Sequence, residues 1–488
     1  MTATRSQPPG WWWVALVAAC GAVVAGWPSL VGPAIAIPVA IIVWQWPGAA
    51  ELSAVVGILV VRPALDVFGT RSFGWSAWLP SPSAVFGLGL LLVSAVLALR
   101  RLHAGLRLWP NRHLWRTHSL LLATYVLAAA AGASHYGAVG VANGVRELLR
   151  VCSVVGGFLV LLWWVEENPG RRSIGWGLLV VGLLSPTVVA AVQYFRGNGN
   201  LWTAGLNRLQ GTFSDPNTLG PYLVPFILWA VADLRGRGAA AKAARLAGAA
   251  ILTAELLATY SRTAVFVLVA GLGALALLRL VRFGRRELTA GLGTLVVLSA
   301  IGWWLAGGAI ERRFAGIRID KAALEEAQAG ASENSFTWRL INWSILIAMS
   351  REHLAFGHGA GMTTQLNPLV SDINGLPYNA HDDYVRMLFE GGAVGLLAYL
   401  AYVIMLCTWT VRTAHQAPAS LSSAAYAVAA GWLAIALLTA GTPEVSLQTV
   451  TLYELYGMTA LVGLPGWSAD RDTRPPAQAL GPERAAPA

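Results

Sequence analysis

Apolar residues run along this chain in stretches of about twenty, separated by short polar or arginine-rich breaks, almost from end to end. A helix needs roughly 20 mostly apolar residues to cross the hydrocarbon core, because its backbone polar groups must be satisfied internally there. On that criterion the pattern predicts about fourteen membrane helices. They centre near Val17, Ile37, Leu59, Leu91, Val126, Phe158, Gly182, Pro225, Thr253, Gly271, Val297, Ala398, Trp432 and Tyr456. The span at Leu59 is the weakest, since Arg62, Pro63 and Asp66 interrupt it. The run from Trp11 to Gly26 imitates the core of a secretory signal, but another span follows at once and no small-residue cleavage site is convincing, so it reads as the first membrane helix.

Lys and Arg in short loops are retained on the cytoplasmic side, and here they give an orientation. Arg100, Arg101, Arg107, Arg112 and Arg116 cluster in one break, Arg235, Arg237, Lys242 and Arg245 in a second, and Arg279, Arg282, Arg285 and Arg286 in a third. Even-numbered spans then run inward, both termini are cytoplasmic, and the segment from about Gly307 to Arg386 lies outside. Within that large loop Phe336, Leu340, Trp343 and Ile347 recur at helical spacing, which fits a helix lying along the membrane surface or packed against other spans.

Composition agrees with lipid as the solvent: 56% of residues are hydrophobic and 12% charged, where soluble domains carry about 25% charged residues. The expected fold is therefore all-α: a polytopic transmembrane helical bundle with one large, partly helical extracytoplasmic loop. It forms a single membrane domain over 1–466, followed by a Pro- and Ala-rich tail, 467–488, that reads as disordered and cytoplasmic. The net charge of +10 falls in bursts between apolar runs, which makes it a topology signal and argues against nucleic acid as a partner. Cys20, Cys152 and Cys407 all lie inside apolar runs, so neither a disulfide framework nor a thiolate metal cluster is expected.

Charge near a bilayer is costly and calls for a partner, a water-filled cavity or a ligand, so three outward segments stand out. The first, Gly205 to Asn217, places Arg208 ahead of Asp215-Pro216-Asn217, which also suits a turn and a capped helix start. In the second, Thr259 to Thr263, a Ser261-Arg262 pair breaks an apolar run too long for one helix; an Arg at a helix end also snorkels to the interface. The third comprises Phe356 to Gly361, where Gly357, Gly359 and Gly361 would let backbone approach a ligand, and Tyr378 to Glu390, which carries His381-Asp382-Asp383. A metal site needs three or four ligands, and no other histidine has suitable spacing, so no metal is expected. His381 reads instead as a general base or hydrogen-bonding group, or as a solvated loop histidine.

Taken in order, these segments resemble the core of the O-antigen ligase family, which includes O-antigen polymerases and some protein O-oligosaccharyltransferases. The matching residues are Arg208 with Asp215-Pro216-Asn217, Ser261-Arg262, Arg339 with Trp343, Gly357 to Gly361, and Ala380-His381, covering about Leu201 to Val403. Asp382 stands where the family commonly has Asn. The resemblance implies transfer of a glycan from an undecaprenyl-diphosphate carrier to a glycan, lipid or protein acceptor hydroxyl, outside the membrane, without nucleotide sugar, metal or other cofactor. Arg208 and Arg262 would neutralise the leaving diphosphate and His381 would take the acceptor proton. Arg339, Asp382, Gly359 and Asn217 are the expected substrate-binding residues. A polymerase extending a lipid-linked glycan is the alternative reaction. A lipid-linked-glycan transporter is the non-enzymatic one, although no inverted repeat is evident and a transporter does not call for so large an outer loop.

Overall fold

A computed structural model describes residues 41, 43–65, 82–199, 207–213, 215–234, 238–283, 335–370, 377–438 and 449–463. The expected spans at Val17, Ile37 and Val297, the loop before 335 and the tail 467–488 lie outside these residues. Among the described residues all regular structure is helical, apart from an isolated bridge between Val370 and Pro377. The helices are α1 (Pro47–Leu65), α2 (Pro82–His103), α3 (Arg112–Glu167), α4 (Arg172–Arg196), α5 (Pro216–Ala232) and α6 (Ala239–Ala258). They continue as α7 (Arg262–Phe283), α8 (Ser335–Met349), α9 (Thr363–Leu366), α10 (Asp383–Gln416), α11 (Ala419–Leu438) and α12 (Thr449–Val462). Among the described residues, seven helices are long and apolar enough to cross a membrane: α1, α2, α3, α4, α7, α10 and α11.

Two of these helices reverse direction. In α3, Gly137 has φ 54° and ψ −128°, a combination open to glycine and strained for other residues. Residues on either side of it meet: a Cβ at Gly140 would overlap Gly132, and one at Gly144 would lie 2.8 Å from Ala129 Cβ. The helix is thus an antiparallel hairpin, whose arms hold the expected centres Val126 and Phe158. In α10 the reversal is at Gly392, with φ 65° and ψ −165°. Tyr399 Oη donates to Asp383 Oδ2 at 3.3 Å, although in a straight helix residues sixteen positions apart would be about 24 Å apart. A short re-entrant arm, Asp383 to Gly391, therefore folds back on the long arm that ends at Gln416. Hydropathy alone shows one continuous run across this reversal.

The hairpins order the ends of the bundle. Where the second arm of α3 finishes, Arg101 pairs with Glu166 at 3.1 Å and with Glu167, and nearby Arg172 donates to Gly463 O. The α3 apex lies at the opposite end, against the Gly-rich turn: Tyr136 Oη donates to His358 Nδ1 at 2.6 Å, and His358 Nε2 donates to Met349 O at 3.1 Å. Burial holds the His358 imidazole below its ordinary value, in keeping with a neutral ring that accepts from one side and donates from the other.

The helix expected around Trp343 forms, but it buries a different stripe from the expected one. Asn342 and Leu346 are 0% exposed while Ile347 is 42% exposed. The buried face is built around a polar residue, which hydropathy spacing does not reveal.

Candidate functional site

Asn342 makes α8 the anchor of the segment that carries His381. Its Nδ2 donates to Asn379 O at 2.9 Å, and Trp343 Nε1 donates to Ala380 O at 2.9 Å. Asn367 Nδ2 completes the clamp by donating to Asn342 Oδ1 and to Tyr378 O, at 2.7 and 2.8 Å. The next residue, His381, has φ 54°. Left-handed backbone is unfavourable for a side-chain-bearing residue and persists only where its surroundings impose it. Its ring meets Trp338 edge to face at 5.6 Å. Desolvation, and then the Arg339 guanidinium, push its pKa down to about 3. The histidine is thus neutral, and a weaker base in the free protein than its ordinary value of about 6.5 implies.

Asp382 caps the re-entrant arm of α10: its carboxylate accepts from Val385 N at 2.8 Å. Asn and Asp serve this position about equally well, which accounts physically for the departure noted in the sequence. The Gly-rich turn is also committed to packing. Gly357 N donates to His353 O and Gly359 N to Glu390 O, at 2.7 and 2.8 Å. Gly359 has φ 114°, and a Cβ there would overlap Gly132 of the α3 hairpin. Gly359 therefore keys the Gly-rich turn into the α3 hairpin through direct backbone contact.

Beneath this turn lies a charged network that sequence reasoning missed. Arg386 is 2% exposed, donates a hydrogen bond to Glu147 Oε2 at 2.8 Å and forms an ion pair with Glu390 Oε2 at 3.1 Å. Arg150 also pairs with Glu147, and Thr363 Oγ1 donates to Glu390 Oε1 at 2.8 Å. The network borders a cavity of about 1000 Å³, whose walls include Arg62, Arg146, Arg150, Arg386 and Asn379. The available signal was Arg146-Glu147-Leu148-Leu149-Arg150, a charged pentad inside an otherwise apolar helix. Arg386 and Glu390 lay within the segment singled out from the sequence, but the loop histidine drew the reading away from them.

The shorter turns form their own cluster. Arg208 Nε donates to Thr259 O at 2.8 Å, and its Nη2 donates to Asn217 Oδ1 at 3.1 Å. Asp215 caps α5 by accepting from Asn217 N at 2.8 Å. Ser261 Oγ accepts from Ala264 N at the start of α7, next to Arg262. Tyr260, between Thr259 and Ser261, is the other described non-glycine residue with positive φ, at 48°. The structure thus joins Arg208, Asn217 and the Thr259–Arg262 turn, as it joins Arg339 and His381. The 207–213 turn also touches the wall of the large cavity, since Thr212 Oγ1 donates to Pro63 O beside Arg62.

Residues 247–400 match the family model for O-Antigen ligase. The matched stretch runs from α6 into α10 and takes in Arg262, Arg339, Gly359, His381 and Asp382, while Arg208 and Asn217 precede it. No curated protein matches the chain. With the membrane-length helices, this match over part of the chain supports the O-antigen ligase superfamily and a multi-pass membrane protein of glycosyltransferase type, ligase or polymerase.

Proposed function

We propose that the chain transfers a glycan from an undecaprenyl-diphosphate carrier to an acceptor hydroxyl on the extracytoplasmic face of the membrane, without nucleotide sugar or metal ion. The observation that carries this reading is His381: a strained, neutral histidine clamped by Asn342, Trp343 and Asn367 beside Arg339, two residues from a cation-lined cavity. In the reaction the acceptor oxygen attacks the anomeric carbon and passes its proton to His381. The bond from that carbon to the diphosphate oxygen breaks, and the electron pair leaves with the lipid diphosphate. Arg208 and Arg262 hold the charge that develops there. A bound diphosphate near His381 opposes the effect of Arg339 and raises the basicity of the ring, so that the base strengthens when the donor is present. Gathering of the arginine-rich helix ends at the opposite end of the bundle supports an outward-facing site.

The test is glycan transfer by purified protein from a lipid-linked donor, comparing Arg208→Ala, Arg262→Ala and His381→Ala. Each is expected to lose most turnover while retaining normal folding. Near-normal rates in all three would sink the mechanism. His381→Gln separates roles: loss equal to that of the alanine variant supports proton transfer, whereas appreciable retained activity reduces His381 to acceptor positioning.

A further inference from the structure

Inside the bundle lies a second, smaller cavity of about 50 Å³, lined by Tyr125, Tyr399, Tyr402, Tyr456 and Arg150 together with apolar side chains. Tyr125, on the first arm of α3, is 2% exposed, and its Oη has no hydrogen-bond partner among the described residues. Arg150, on the second arm, lines both this cavity and the large one. Its Nη2 is committed to Glu147, while its buried Nε has no partner. The protons of the other hydroxyls are already directed elsewhere. Tyr399 donates to Asp383 Oδ2. His118 Nδ1 donates to Leu114 O at 2.9 Å, which in the neutral ring leaves Nε2 to accept from Tyr456 Oη at 3.2 Å. Tyr402 Oη then donates to Tyr456 Oη, 2.5 Å away. Tyr125 and Arg150 thus bring protons that lack an acceptor, and Tyr399 and Tyr402 bring oxygens still able to accept. Water, with two protons to give and two lone pairs, complements that set. A wholly apolar cavity stays dry, but one with polar partners holds water, and at roughly 10–15 Å³ each this one has room for about three or four.

We infer that this cavity is an internal hydration site, in which ordered water accepts from Tyr125 Oη and Arg150 Nε and donates to the hydroxyl oxygens of Tyr399 and Tyr402. An apolar guest is the wrong occupant, because it would strand the Tyr125 hydroxyl away from any partner. The water ties both arms of α3 to the long arm of α10. Through Tyr399 it reaches Asp383, the first residue of the re-entrant arm and two residues beyond His381. Tyr125 is then a positioning residue, acting on the site through water, Tyr399 and Asp383 without touching substrate. The positioning role rests on His381 as the base, whereas the hydration does not.

The test is a density map of the full chain in nanodiscs, at a resolution that shows ordered water, for wild type, Tyr125→Phe and Val154→Ile. Val154 is buried and lines the cavity, so the added methyl takes up space without removing a polar group. Wild type is expected to show water within hydrogen-bond distance of Tyr125 Oη. Tyr125→Phe should lose that water, and Val154→Ile should displace at least one. In glycan transfer Tyr125→Phe should lower kcat about fivefold, the worth of one neutral hydrogen bond, with KM unchanged, since the arm rather than the grip on substrate is altered. An empty wild-type cavity, continuous density of a hydrocarbon chain within it, or water unchanged in either variant overturns the hydration site. Water lost from Tyr125→Phe with kcat unchanged, or with KM raised in its place, overturns the positioning role. Ordered water in a wild type that transfers no glycan would leave the hydration site standing and remove the proposed reaction.

Discussion

Removing Arg386 tests how the re-entrant arm of α10 is held. Its guanidinium bridges Glu147 on α3 and Glu390 one turn along its own arm, with all three groups buried. Breaking a buried pair by deleting one partner costs about 3–5 kcal/mol, because the other charge is left in low dielectric. Here Arg150 still faces Glu147 and Thr363 still donates to Glu390, so Arg386→Met should fall near the lower end, about 3 kcal/mol. Deleting both ends of the long-range pair, as Arg386→Met with Glu147→Leu, removes the orphaned charge along with its partner. The double variant should therefore lie above the sum of the singles by about 1–3 kcal/mol. Equilibrium unfolding in mixed micelles of the four proteins gives this coupling directly. Single costs that add within about 0.5 kcal/mol, the behaviour of distant, independent sites, would refute the network as the fastener of the arm.

Two further predictions concern the residues at the head of that arm. Asp382→Asn should change stability by only a few tenths of a kcal/mol, since both side chains cap, whereas Asp382→Ala should cost about 0.5–2 kcal/mol; the same unfolding measurement checks both. For His381 the folded pKa is depressed from its ordinary value to about 3. Its contribution to stability is thus complete above about pH 6.5 and is lost as pH falls from there toward the folded value. Because kcat/KM reports the free enzyme, its acid limb from His381 should lie far below neutrality. A wild-type acid limb near pH 6.5 that vanishes in His381→Gln would contradict the desolvated, Arg339-facing environment.

Much of the helical plan was legible because a bilayer permits so few alternatives. The expected centres from Leu59 through Gly271, and those from Ala398 through Tyr456, fall in described helices. What periodicity could not reveal was direction. Asp383 to Gln416 reads as one long run, and only the conformation at Gly392 and the contact from Tyr399 to Asp383 show that it doubles back. The buried face of α8 escaped for a related reason, since its centre is Asn342, whose worth lies in the carbonyls it binds at Asn379 and Ala380. At the site, loop residues such as His381 and Arg208 were visible through their neighbours in sequence. The cavity arginines were not, because they come from α1, α3 and α10 and become one wall only after both hairpins have formed.

The two reversals also explain how buried charge is reconciled with long apolar helices. A straight transmembrane helix offers charge to hydrocarbon wherever it carries an arginine. A hairpin instead brings its own second arm and a neighbouring loop against that residue, so the charge is paired before it meets lipid. Glu147 on α3, Arg386 on the returning arm of α10 and Thr363 beyond the Gly-rich turn make such a connection through Glu390. The same backbone contact that locks Gly359 against Gly132 leaves the segment after Asn367 to be gripped by α8, which fixes His381. The position of His381 is therefore set by the packed helices, although the residue itself stands in a loop. In the proposed transfer, packed helices rather than the loop alone then determine how closely the acceptor oxygen meets the anomeric carbon, the geometry on which displacement rates depend most steeply.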